Sequence, residues 1–125
     1  MDFQKTGLIR YDRQCSFEGY TTVATFRGNS VRLVDNEGNE RHRWELPGLL
    51  GSLAYLLPDG RLLCSVQVDT DIPLTTARGG RILEMSWDGD IIWEFTDPTQ
   101  HHDFRRLPNG NTVYIGWRAL PQEFA

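Results

Sequence analysis

Two of the three histidines stand side by side in "TQHHDFRRLPNGNTVYIGW", Thr99 to Trp117, with an aspartate directly after them. Several chemistries are open to His101, His102 and Asp103. Imidazole titrates near neutrality, so either ring can serve as nucleophile or proton carrier. His101 and Asp103, two apart on a strand, would share a face and resemble a pair of metal ligands. No third ligand stands nearby, so neither a metal nor a cofactor is expected. The plain alternative is the polar opening of a strand. Successive strand residues point to opposite faces, so His101 and His102 are expected to look in opposite directions.

The other reactive side chains are simpler. His42, in "HRWEL", is expected on an outer strand in a structural role. Asp88 and Asp90 flank a turn glycine and are read as turn formers rather than a catalytic carboxylate pair. The two cysteines, Cys15 and Cys64, are too few for a disulfide framework or a zinc site. In "RLLCSVQV", Leu62, Cys64 and Val66 fall on one strand face, which makes Cys64 a small buried hydrophobe.

The elements that must position these residues are strands almost throughout. Short apolar, β-branched and aromatic runs alternate with "RGNS" (27–30), "NEGN" (36–39), "PDGR" (58–61), "WDGD" (87–90) and "PNGN" (108–111). Asp-Gly and Asn-Gly supply the positive backbone angles that hairpins require. Strands are expected at 21–26, 31–35, 41–46, 52–57, 62–68, 81–86, 91–95, 102–107 and 112–117. No window has helical spacing of apolar residues, so the class is all-β and antiparallel. One long connection, "DTDIPLTTARGG" (69–80), reads equally as a binding lid or a surface insertion.

A repeat organises these strands. "LLPDGRLL" (56–63) matches "RLPNGNTV" (106–113) 50 residues later, and "VRLVDNEGNERHRWEL" matches "RILEMSWDGDIIWEF" at a similar offset. Trp44-Glu45-Leu46 lines up with Trp93-Glu94-Phe95 if the first hairpin holds two extra residues. Four short strands in about 50 residues is the period of a β-propeller blade. The whole chain, 1–125, is read as one partial propeller domain with blade strands at 19–48, 51–95 and 101–118. Trp44, Trp87 and Trp93 are expected to fill the wedge between blades, and Trp117 and Tyr114 to pack likewise. About two blades are too few to close a ring of four to eight, so completion by missing blades or by other copies is expected.

Composition narrows the partners. Thirteen basic and 17 acidic residues give a net charge of −4, with no basic stripe, so nucleic acid is not an expected partner. No apolar run is long enough to span a bilayer, so no membrane partner is expected. "MDFQKTGLIRYD" lacks a signal-peptide pattern, and the expected compartment is cytoplasmic, or periplasmic or secreted if the chain is a trimmed fragment.

The ordered combination of these pieces resembles one family. "GLIRYD" (7–12), "GYTTVATF" (19–26), "VRLVDNEGNERHRWELPG" (31–48) and "LAYLLPDGRLL" (53–63) are similar to the N-terminal part of the arylsulfotransferase-like family. "GGRILEMSWDGDIIWEF" followed by "HHDFRRLPNGNTVYIGW" extends the likeness over residues 7–120. The resemblance implies a six-bladed propeller with its site at the central channel. It also implies transfer of a sulfuryl group from a phenolic sulfate ester to another phenol, through a transiently sulfurylated histidine and without a nucleotide donor. Phenolic small molecules are then the expected partners, alongside self-association. By motif, His102 is the catalytic candidate, binding or polarising the sulfuryl group. His101, Asp103, Tyr20 and Tyr55 are candidate substrate contacts, while the nucleophilic histidine and an arginine are implied in later blades. The alternative is a non-catalytic propeller segment that acts by self-assembly or ligand binding.

Overall fold

The computed structural model describes residues 7–72, 77–121 and 123. Nine strands follow in order: β1 (Tyr20–Ala24), β2 (Ser30–Asp35), β3 (Glu40–Glu45), β4 (Leu50–Leu56), β5 (Leu62–Gln67), β6 (Gly80–Met85), β7 (Ile91–Thr96), β8 (Gln100–Arg106) and β9 (Thr112–Gly116). They form three antiparallel meanders, β1-β2-β3, β4-β5-β6-β7 and β8-β9. Part of the long connection expected at 69–80, residues 73–76, lies outside the described residues.

Four hairpin turns share one geometry, which explains why their sequences look alike. In residues 35–39, 57–61, 86–90 and 107–111 the first N–H donates to the fifth carbonyl, at 2.8–3.0 Å. The fourth residue is always glycine, at φ between 83° and 94° (Gly38, Gly60, Gly89, Gly110), a region costly for any residue with a Cβ. Its N–H closes the turn onto the first carbonyl.

These equal hairpins correct the alignment of the tryptophans. The β2–β3 and β6–β7 turns are the same length, so the offset stays at 51 through both strands. Val31 pairs with Trp44 and Ile82 with Phe95, while Leu33 pairs with His42 and Glu84 with Trp93. Trp44 therefore occupies the place of Phe95, and Trp93 that of His42. A slip of two residues keeps every side chain on its original face, so apolar patterning cannot detect it.

The four-stranded sheet lies between the other two and is covered on both faces. Its central strands, LLCSVQ and GRILEM, are almost wholly buried, which is why they read as continuous apolar runs rather than alternating ones. On one face Leu62, Cys64 and Val66 meet Val31, Leu33 and the fully buried Trp44. Burial alone pushes the Cys64 thiol up to about 12, so it is an inert core residue. On the other face Leu63 and Ile82 meet Phe104, flanked by Tyr55, Trp93 and Tyr114. Glu84, buried at the place Leu33 holds one repeat earlier, is gripped there by Arg61 and Arg106.

Trp44 and Trp93 each stand between neighbouring sheets. The Trp44 indole N–H donates to the Ser86 carbonyl at 2.9 Å, and Trp93 lies 4.6 Å beneath the Arg106 guanidinium. His42 stacks on Trp87 at 4.0 Å, and its Nε2–H donates to the Trp87 carbonyl at 2.8 Å, a packing role. No helix among the described residues is long and apolar enough to cross a membrane.

Candidate functional site

The histidines sit on a defect in β8. His101 pairs with Ile115 and Phe104 with Tyr114, so His102 and Asp103 have no partners across the strand. β4 carries the same irregularity: Leu50 pairs with Val66 and Ala54 with Cys64, which leaves two residues in excess. The bulge is thus part of the repeat, and it holds Gly51 and Ser52 in one sheet and His101 and His102 in the next. A Cβ on Gly51 would come 2.8 Å from the Arg78 carbonyl, so the first bulge has no room for a side chain there.

Bulging breaks the alternation that would separate the two imidazoles. His102 adopts φ 54°, and its ring turns back until its Nδ1 is 2.7 Å from the Nδ1 of His101. The expectation of opposite orientations fails here because it assumes a regular strand. The left-handed conformation costs about 1 kcal/mol or more, and neighbouring contacts hold it. The His102 N–H donates to the Ala77 carbonyl at 3.1 Å, and the Ser52 hydroxyl donates to the His102 carbonyl.

Two nitrogens this close share one proton. The donor ring then has a free lone pair on its Nε2, and the acceptor ring carries an Nε2–H. A neutral pair therefore offers one nucleophilic nitrogen and one hydrogen-bond donor. After taking up one proton, both rings donate through Nε2 and carry a single positive charge between them. His101 is half-buried, and burial, with the neighbouring His102 second, holds its pKa below the ordinary histidine value. His102 is the exposed ring of the pair.

The remaining candidates fall in different places. Asp103 turns a carboxylate oxygen onto the Phe104 N–H at 2.7 Å, shaping the bulge rather than orienting an imidazole. Tyr55 accepts the Arg106 N–H on its hydroxyl at 2.9 Å and stacks on Phe104, which puts it in the contact between sheets. Tyr20, 66 % exposed, lines a separate polar groove with Tyr11, Arg13, Asp35 and Arg41. Of the five residues, only the two histidines have side chains in contact with each other. No group of three or more histidine, cysteine or carboxylate side chains suited to a metal exists among the described residues.

Two further residues complete the surroundings. Arg78 bridges backbone to backbone with His101, and its guanidinium donates to the Thr70 carbonyl at 3.0 Å. Trp117 is 56 % exposed rather than packed, and its ring lies 4.9 Å from that of His101. It borders a groove of about 700 Å³ that also touches Thr70, Asp71, Ile72, Pro98 and Thr99. The repeat carries a signal for Trp117: one period earlier stands the polar Gln67, with the same backbone hydrogen bond, so the position is not a core one. Arg78 has no such signal, because it lies in a connection without periodicity.

No protein-family model, curated protein or solved structure matches this chain.

Proposed function

We propose that this chain is part of an arylsulfotransferase-like propeller and contributes the His101–His102 pair to sulfuryl transfer between phenolic compounds. The observation that carries the proposal is the bulge that brings both imidazoles to one point beside an open groove. The sheet arrangement supports a propeller: meanders of the same topology lie side by side, with β4 against β1 on one flank and β8 on the other. Tryptophans stand in the gaps between them. In a ring, β4 and β8 would be innermost and their bulges would face the channel.

In this reading His102 contacts the sulfuryl oxygens through Nε2–H, and His101 relays the shared proton. Attack by a nucleophilic nitrogen forms an N–S bond as the S–O bond to the aryl group breaks, and the departing phenolate takes up a proton. The acceptor phenol then attacks sulfur, loses its proton, and frees the nitrogen. The positive charge on a protonated pair would offset the negative charge that builds on the oxygens. The nucleophilic nitrogen is assigned to a further sheet, supplied by additional chain or by another copy.

4-Nitrophenyl sulfate, assayed with and without a phenol, tests this. Acceptor-dependent release of nitrophenol that disappears in His102→Ala is the expected result. No release by a folded and fully assembled protein sinks the proposal.

A second reading, a non-catalytic segment that works by self-assembly, is favoured by the outer face of β8–β9. Val113 and Ile115, 52 % and 49 % exposed, sit where Leu63 and Ser65 are buried one repeat earlier. The next sheet in such a series would cover them. Solution mass decides: a single-chain mass at all concentrations rules out self-assembly.

A further inference from the structure

We propose that Gln100, buried in β8 directly before the two histidines, is the positioning residue that keeps their imidazoles in contact. This deepens the sulfuryl-transfer reading and rests on it only for what the pair does. Gln100 is 1 % exposed, and the residue one repeat earlier is Leu50, also buried. Strand pairing keeps the two equivalent: Leu50 faces Val66 and Gln100 faces Gly116. An amide where the repeat uses leucine costs free energy, the more so because its Nε2 finds no partner among the described residues. Leucine would serve for packing, so the amide oxygen must have a task of its own.

Gln100 Oε1 accepts the Gly80 N–H at 2.9 Å, and the Gln100 carbonyl accepts the Gly79 N–H at 3.3 Å. Together they fasten the start of β6 and the residues before it to β8. Gly79 leaves the side chain its place, since a Cβ there would run into Gln100 Oε1. Arg78 comes next, bridging to His101, and then Ala77, itself left-handed at φ 50°. The Ala77 carbonyl accepts the N–H of left-handed His102. Fixing Gly79 and Gly80 therefore fixes the carbonyl that holds His102 with its Nδ1 against His101. Two strained residues bonded to each other persist only where their surroundings over-determine them, and Gln100 is the buried anchor. Leu50, beside the first bulge, has no side-chain acceptor, and Gly51 and Ser52 there present no imidazoles.

Gln100→Leu, which restores the residue of the earlier repeat, tests the assignment by NMR of isotope-labelled protein. The parent should show scalar coupling between the two Nδ1 atoms, and a His102 amide coupling that reports φ near 54°. In Gln100→Leu the first should vanish and the second should move to the value of an extended strand. The Trp44 indole N–H signal, in the other joint between sheets, should stay in place. Acceptor-dependent release of nitrophenol should fall roughly 10- to 100-fold in kcat. A histidine pair that stays coupled in folded Gln100→Leu overturns the proposal. Gly79→Ala evicts Oε1 from the Gly80 N–H without altering residue 100, and should give the same losses if Gln100→Leu does not fold. In the parent the Gly80 amide should exchange slowly with solvent, and rapid exchange overturns the proposal whichever variant folds. Coupling lost as expected, in a protein that transfers no sulfuryl group, sinks the enzymatic reading and supports the positioning role by itself.

Discussion

At the scale of single residues, the histidine pair makes the sharpest prediction. His101 should titrate below the ordinary value of 6.5, chiefly because it is half-buried and secondarily because His102 adds a competing charge. His102→Ala should raise the His101 midpoint only part of the way back, since burial is the larger cause. Proton NMR of the ring signals measures both midpoints, and an unchanged His101 midpoint in His102→Ala would disprove the contact. The sign for stability follows. The folded state binds this proton more weakly than the unfolded chain, so the contribution is complete above 6.5 and declines as pH falls through the lowered value. The sequence made His101 and His102 conspicuous, yet it could not give their contact, because strand alternation holds only where pairing is regular. Arg78 was not legible at all, since it reaches His101 through a connection without pattern.

At the scale of elements, each sheet depends on what fills the space to its neighbour. Trp44 is fully buried between β3 and the middle sheet, and Trp44→Ala should cost about 3–5 kcal/mol in chemical denaturation. Trp93→Ala should cost less, because that ring is only half-buried. Glu84 joins the second and third sheets through Arg61 and Arg106. Glu84→Gln should cost about 2 kcal/mol, below the full penalty for a broken buried pair because both arginines retain some access to water. β9 is also fastened at Tyr114, whose hydroxyl donates to Asp97 at 2.6 Å and, with the Thr99 N–H, holds that carboxyl below its usual range. A lowered carboxylate pKa adds stability above the unfolded value, near 3.9, and loses it as pH falls through the folded one. The stability gap between the parent and Tyr114→Phe should therefore be complete at neutral pH and shrink in acid. A gap independent of pH would remove Asp97 from the explanation.

At the scale of the whole molecule, the middle sheet has both faces covered, while the β8–β9 sheet leaves apolar side chains exposed. Leu107, Val113, Ile115 and Trp117, 40–56 % exposed, lie on or beside β8–β9. Exposed apolar faces of this kind promote association. The mass from light scattering should rise with concentration, and Val113→Lys with Ile115→Lys should return it to that of one chain. A parent mass that never changes would leave the self-assembly reading without support.

The all-β class, the four glycine turns, the succession of strands along the chain and the 50-residue period were all determined by the sequence alone. Each rests on local chemistry: a positive φ that only glycine adopts cheaply, or apolar residues at strand spacing. Tertiary structure decided what local chemistry leaves open. It fixed the pairing of Trp44 and Trp93, which differs from their sequence alignment by two residues and so by no change of face. It also set the bulge that turns His102 onto His101. Within that bulge, Ala77 and Ser52, distant in the chain, bond to the His102 backbone and hold its left-handed conformation. Contacts between distant residues leave no periodic trace in a sequence, and the candidate site is built from them.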